Sequence, residues 1–343
     1  MRLPRDIKNK VSSMPSIMRT FEKLTIYPDK HISYFKYMDL SLESKNLVSD
    51  YLDISSLVQL AETCLDTRDN VTTYLHRRVV KILSRFKLDW VPLLPVMKRY
   101  KAVIGGLCAL KAIVPAAWPF QLETNSLYFY LPKDFALLFV QELKGFGEFG
   151  VIKDGNVWSD DNILTEHVWS LRDESIGREE PSIFLHVVSS ISDNPLPPIF
   201  LFNSTHTMNF ISSSGIFVGY SALSSAGKGL ANYNTGEDLE GQKVQHLTTT
   251  HATCGFTVSS RLSSLISEDH ICGLDFSCPL TIRSTIDGGT LFAPIDPTHP
   301  LRRGDMNIGA LMWSIGAPPC HFSDVQLESF IQTAKVVPEY TYW

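Results

Sequence analysis

The sequence predicts an α+β protein, with a three-helix N-terminal module followed by a region built on a mixed sheet. Apolar residues recur at helical spacing between residues 40 and 90. Pro92 and Pro95 interrupt that pattern, and from about residue 98 short strand-like runs alternate with helical stretches. The length of 343 residues suits one large domain or two modest ones. The expected division is a tail or linker over residues 1–35, the helical module over 36–96 and the α+β region over 97–343.

Residues 1–35 carry Pro4, Pro15 and Pro28 with little apolar periodicity, which reads as a tail with some helix. Val48, Tyr51 and Leu52 share one side of a first short helix that Asp53 ends. Asp53 or Ser55 can cap a second helix, whose Leu57, Leu60, Ala61 and Cys64 form one stripe. Asn70 can cap a third, carrying Val71, Tyr74, Leu75, Val79, Ile82, Leu83 and Phe86. Pro92 and Pro95 are expected to stop the helical region. Ala102-Val103-Ile104 then reads as a strand ending at Gly105-Gly106, with a helix to about Val114. Leu127–Leu131 is strand-like, and Pro132 and Asp134 start a helix with Phe135, Leu138, Phe139 and Leu143 on one side. Further strands are expected at Ile183–Val188, Ile199–Phe202 and Ile216–Tyr220. Asp287-Gly288-Gly289 predicts a tight hairpin joining Leu280–Ile286 to Thr290–Ile295, because Asp-Gly supplies positive backbone dihedrals. The polar, Gly-rich stretches 171–182 and 225–243 read as exposed loops.

Lysine and arginine total 31, aspartate and glutamate 36, so the net charge is -5. That balance argues against broad attraction to nucleic acid or anionic membrane, and neither DNA nor membrane is expected as a partner. The apolar run Phe135–Val140 is far too short to span a bilayer. Met1–Lys8 has charges where a signal peptide needs an apolar core, so a cytoplasmic or nuclear protein with reduced cysteines is expected.

Several motifs yield to plainer readings. Ser225-Ala226-Gly227-Lys228-Gly229 lacks the first glycine and the hydroxyl of a phosphate loop, and reads as a flexible loop. Cys254, His270, Cys272 and Cys278 are soft or borderline metal ligands, but their spacing matches no standard knuckle. The cysteines read as isolated, small buried apolar residues, and no metal or cofactor is expected. His206 and His251 lie near Ser204 and Thr250 without a nucleophile elbow, and read as structural histidines. Lys98-Arg99-Tyr100-Lys101 is too short for a nucleic-acid footprint and reads as a solvated junction.

At residues 40–88, Leu40-Ser41, Leu47, Val48, Tyr51-Leu52-Asp53-Ile54-Ser55-Ser56-Leu57, Leu60-Ala61 and Thr63-Cys64 form a pattern that resembles an F-box. Leu40-Ser41 stands where that family usually opens with Leu-Pro, and no early Trp closes the motif. The resemblance implies a three-helix module that docks a Skp-type adaptor of cullin-RING ubiquitin ligases. Leu47, Leu52, Leu57 and Leu60 would then support the partner-binding surface.

The later region resembles a nucleotidyltransferase-like fold. Such folds open with a strand, a Gly-Gly turn and a helix, followed by a strand carrying two carboxylates at i and i+2. Helix-start N–H groups can hold phosphate, and paired carboxylates on one strand face can hold magnesium. Gly105-Gly106 fits the turn and marks the candidate nucleotide-binding residues. Trp118-Pro119 with Asn125-Ser126-Leu127-Tyr128-Phe129-Tyr130-Leu131-Pro132 is similar to a form common in families of mushroom-forming fungi. Phe202–Phe210 and Trp313-Ser314-Ile315-Gly316 extend the likeness. Ser126 and Tyr128 occupy the two carboxylate positions, and a hydroxyl and a phenol, neutral near pH 7, do not replace anionic magnesium ligands.

The resemblances therefore imply a non-catalytic interaction protein, an F-box-type substrate adaptor with a catalytically empty nucleotidyltransferase-like domain, with no catalytic residues assigned. Its partners would be a Skp-type adaptor and a target protein. Two alternatives stand beside it. One is an enzyme with an unrecognised site around Gly105, Gly106, His206 or Asn209. The other is an accessory protein of a fungal biosynthetic pathway.

Overall fold

The computed structural model describes residues 37–118, 124–155, 164–175, 182–232, 255–265, 270–296 and 310–315. The expected tail over 1–35 lies outside them, as do His251 and Cys254. The chain divides into two compact units, Met1–Lys45 and Asn46–Trp343. In the first, Tyr37–Asp39 form a single 3-10 turn. The rest of the description concerns the second.

The expected helices form, with shifted ends. Helix α1 spans Leu42–Tyr51. Asp53 caps α2 (Ile54–Ala61) by accepting the Ser56 N–H at 2.8 Å, which satisfies a donor that the first helical turn leaves orphaned. Helix α2 ends before Cys64, so the expected stripe breaks there. Cys64 is instead the N-cap of α3 (Leu65–Ser84), its own N–H donating to Thr67 Oγ1 at 3.2 Å. Asn70 is therefore inside α3, not at its cap, and donates from its amide to the Asp66 carbonyl at 2.7 Å. Val71, Tyr74, Leu75, Val79, Ile82 and Leu83 are buried as their period requires.

The helical region does not stop at the prolines. Helix α4 runs Trp90–Arg99 through both, capped by Asp89, which accepts the Val91 N–H at 3.0 Å. Pro92 lies in the first turn, where the missing N–H has no intrahelical acceptor to lose. Pro95 forfeits one bond, and the burial of Trp90, Leu93, Val96 and Met97 outweighs it. The basic cluster at its end is tied down, not merely solvated: Arg99 Nη1 and the Tyr100 hydroxyl reach Glu142 at 3.1 and 3.2 Å.

An eight-stranded mixed sheet forms the core of the unit. Its strands are β1 (Val103–Gly105), β2 (Ser126–Leu131), β3 (Phe149–Gly155), β4 (Thr165–Asp173), β5 (Phe184–Ser190), β6 (Asn209–Ile211), β7 (Gly215–Val218) and β11 (Leu291–Pro294). The order is β11-β7-β6-β1-β2-β5-β4-β3, and β2–β5 is the parallel pair among otherwise antiparallel neighbours. Helix α5 (Gly106–Ile113) joins β1 to β2, and α6 (Ala136–Lys144) follows β2.

Alternation along the strands gives each face its own apolar cluster. Ile104, Leu127, Phe129, Leu185 and Val187 pack with Leu57, Leu75, Leu83 and Phe139 from the helices. Val103, Tyr130, Val188, Phe210 and Phe217 point the other way and pack with Phe200, Tyr220 and Trp313.

Several sequence expectations fail here. Leu138 is 45% exposed, and Ala136, Phe139, Val140 and Leu143 form the buried side of α6. Ile199–Phe202 is no strand. Pro197 and Pro198 start the short helix α7 (Pro197–Phe200), their fixed φ suiting the first helical positions. The expected loop at 171–182 overlaps β4, which continues to Asp173. The phosphate-loop look-alike is not an open loop either. It follows α8 (Ser221–Ser225) and enters β8 (Lys228–Leu230), which pairs in parallel with β9 (Thr257–Ser259). Lys228 Nζ donates to the Leu265 carbonyl.

The C-terminal hairpin is absent. Strand β10 (Arg283–Ser284) pairs with β12 (Met312–Trp313), whereas β11 pairs with β7. Asp287 makes the turn, accepting N–H groups from Ser284, Gly289 and Thr290 at 2.8, 2.8 and 3.1 Å. None of Asp287, Gly288 and Gly289 takes positive φ, so the primed turn that aligns hairpin strands never forms. No described helix is long and apolar enough to cross a membrane.

Candidate functional site

Strand β1 runs into Gly105-Gly106, where the chain turns into α5. Gly106 has φ +67°, the left-handed region that favours glycine. A Cβ on Gly105 would lie 2.7 Å from the Tyr130 ring. The turn therefore requires Gly106 and the packing requires Gly105.

Strand β2 pairs beside this turn, with Tyr128 opposite Gly105. Ser126 and Tyr128 are two residues apart on it and share one face. On the other side, β5 places Phe184 opposite Ser126 and His186 opposite Tyr128. The Tyr128 and His186 rings stack with centroids 4.5 Å apart, and the Phe184 and His186 rings are near-parallel at 6.3 Å. Ser170 Oγ on β4 lies 2.9 Å from His186 Nδ1, fixing the imidazole. Ser126, Tyr128, Phe184 and His186 are all half-buried, whereas Lys153 and Arg172 are exposed at register positions beside Ser170 and Phe184.

The electrostatics follow from burial. It pushes the Tyr128 hydroxyl up, and it pushes His186 down to about 4, helped by the positive charge of Lys153. Both groups are neutral near pH 7. Neither β2 nor β5 contains an Asp or Glu. This face offers stacked rings and hydroxyls with two cations at its edge, and those two strands lack the anionic pair that a divalent cation needs.

Other expected site residues sit elsewhere. His206 and Asn209 are fully buried. His206 Nδ1 lies 2.8 Å from Ser204 Oγ, its ring stacks on Phe256 at 4.8 Å, and its carbonyl accepts the Asn209 amide at 2.6 Å. As placed, both side chains are closed off from solvent. Leu57 is fully buried in the chain's own core. Leu52 and Leu60 are half-buried against that core, and Leu47 is half-buried on α1.

A second cluster gathers residues that sequence spacing left apart. The ligand atoms of His270, Cys272 and Cys278 all lie within 4.8 Å of one another. Reading them as isolated side chains does not describe their placement. Sequence reasoning also missed Phe184, His186 and Ser170. The available signal was alternation in Phe184-Leu185-His186-Val187, which puts an aromatic and a histidine on the less buried face.

A scan against protein-family models and searches of curated proteins and of solved structures found no match.

Proposed function

We propose that this chain is a non-catalytic interaction protein whose nucleotidyltransferase-like sheet carries a neutral, aromatic surface in place of a catalytic centre. One observation carries the reading. Ser126 and Tyr128 share a face of β2 beside the Gly105-Gly106 turn, and Tyr128 stacks on His186; in this reading they stand where the resembled fold carries its carboxylates. That face takes the target protein. The helices act as an F-box-like module that docks a Skp-type adaptor in the cytoplasm or nucleus. Docking uses the accessible parts of Leu47, Leu52 and Leu60 with the exposed Tyr51 and Leu65, and Leu57 supports them from inside.

Co-expression with a Skp-type adaptor, followed by affinity copurification, tests this function. Wild type is expected to bring the adaptor down. A folded Leu52→Asp, Leu60→Asp variant is expected to lose it, because charge on a docking surface is costly to desolvate. Tyr128→Ala should retain the adaptor. Failure of wild type to copurify, or equal recovery with the double variant, would overturn the adaptor reading.

A further inference from the structure

We propose that His270, Cys272 and Cys278 bind a zinc ion that holds the 270–286 segment in its fold. The donor set is one imidazole nitrogen and two sulfurs, and its atoms fit within 4.8 Å. Zinc–sulfur bonds near 2.3 Å and zinc–nitrogen bonds near 2.05 Å place tetrahedral N and S ligands about 3.6 Å apart. Cys272 Sγ and His270 Nε2 are 3.4 Å apart, close to that edge. Neither cysteine is in a disulfide.

The backbone around the sulfurs suits thiolates. The chain folds back at Gly273, with φ +79°, and the Gly273 N–H donates to Cys278 Sγ at 3.4 Å. An N–H donated to sulfur stabilises the deprotonated ligand and orients it, the role that outer hydrogen bonds play in metal centres. Asp275 points elsewhere, its Oδ2 accepting the Ile271 N–H at 2.6 Å. The three ligands are sulfur and nitrogen only, a set that selects zinc over magnesium or calcium.

Burial supplies an independent argument. Between His270 and Thr281 the chain has no helix or strand. It exposes Ile271 by 64%, Leu274 by 69% and Phe276 by 44%, while Cys278 is fully buried. A segment that leaves its large apolar side chains in water does not owe its shape to apolar burial. Hydrogen bonds from Thr281 Oγ1 to the Asp275 carbonyl and from Arg283 to the Phe276 carbonyl tie its backbone, and a metal cross-link adds to them, as in small folds whose cores are too thin to order them. Zinc binding releases the two thiol protons to solvent, and three protein ligands leave a fourth corner for water or another donor.

The test uses the full chain, purified in reductant without chelator. One zinc per chain is expected by elemental analysis, and cobalt(II) added to the metal-free chain should give a thiolate charge-transfer band. Cys272→Ser is expected to halve that band. Cys272→Ser and His270→Gln should each weaken zinc binding by more than the roughly tenfold that losing an outer hydrogen-bond partner costs. Chelator should lower the melting temperature of wild type and leave those variants unchanged. Both residues are half-buried, so these variants test the site without disturbing buried Cys278. Circular dichroism checks their fold. A reduced wild-type chain with neither zinc nor a cobalt charge-transfer band would overturn the proposal. So would zinc retained equally by both variants, or a Cys272–Cys278 disulfide in place of metal.

Discussion

Both faces of the large sheet carry an apolar cluster, and different elements cover them. On the helix-covered face, Leu127, Phe129, Leu185 and Val187 meet Leu57, Leu75, Leu83 and Phe139 in one apolar cluster. On the opposite face, Phe210, Phe217 and Tyr130 are covered by short helices and small strands. Polar knots hold these covering segments. The largest is Arg283, fully buried, which donates to both oxygens of Asp287 at 2.7 and 2.9 Å and to the Phe276 and Gly219 carbonyls. The rings of Tyr220, Phe276 and Trp313 surround its guanidinium at 4.5, 5.3 and 5.4 Å. Beyond that cover, the same face stays half-open at Tyr128 and His186. Periodic packing covers one side, and directed hydrogen bonds pin the segments on the other while leaving Tyr128 and His186 half-buried.

Removing the central ring of the helix-covered face should have the largest effect. Phe129→Ala leaves a cavity against Phe139, whose ring centroid is 5.0 Å away, and should cost about 3–5 kcal/mol by denaturant unfolding. That loss should barely depend on pH, since apolar groups do the work.

Breaking the polar knot should be nearly as costly but different in kind. Arg283→Ala removes the charge partner of the Asp287 carboxylate and the arginine donor to two carbonyls, a loss on the order of 3 kcal/mol or more. Burial pushes the Asp287 carboxyl up, but the hydrogen bonds from Arg283 and Ser284 outweigh it and hold it below the usual carboxylate range. A depressed folded-state value stabilises above the unfolded value of about 3.9 and fades as pH falls through the folded one. Wild type should therefore lose stability in acid through this pair, and Asp287→Asn should remove that component from a melting-temperature profile.

The half-open end should respond in a second pH window. His186 falls from 6.5 to about 4 in the fold. Its folded value is depressed, so its contribution is complete above 6.5 and declines as pH drops toward 4. An NMR titration should place its midpoint near 4, and His186→Gln should flatten stability across that window. The smallest effect is expected at the start of α2, where Asp53→Ala should cost about 1 kcal/mol by losing the cap on Ser56 N–H.

The same contrast explains what was legible in the sequence. The helical stripes of α2 and α3 and the strand Leu127–Leu131 could be read, because burial on the periodic face imposes a period. The end of the helical region was misread at Pro92 and Pro95, since the burial of Trp90, Leu93 and Met97 overrides a local signal. The hairpin failed because Asp287 spends its oxygens on Arg283 and on local N–H groups, sending β10 and β11 to different sheets. Strand β3, with two glycines and two charges, is the edge of the sheet and gave little strand signal. For the site, Ser126, Tyr128, Gly105 and Gly106 were found by resemblance, whereas His186 and Ser170 join them through strand pairing that no local pattern shows. His270, Cys272 and Cys278 come together through the fold at Gly273, so spacing alone left them scattered.

The most direct measurement is calorimetric titration of the full chain with a magnesium-nucleotide complex, in wild type and in a folded Ser126→Asp, Tyr128→Asp variant. A neutral, aromatic face predicts no magnesium-dependent nucleotide binding in wild type and a gain of magnesium affinity once both carboxylates are installed. Magnesium-dependent binding by wild type that Tyr128→Ala abolishes would contradict the account and make this face a nucleotide-binding site. No gain in the double variant would show that Ser126 and Tyr128 are not the carboxylate positions.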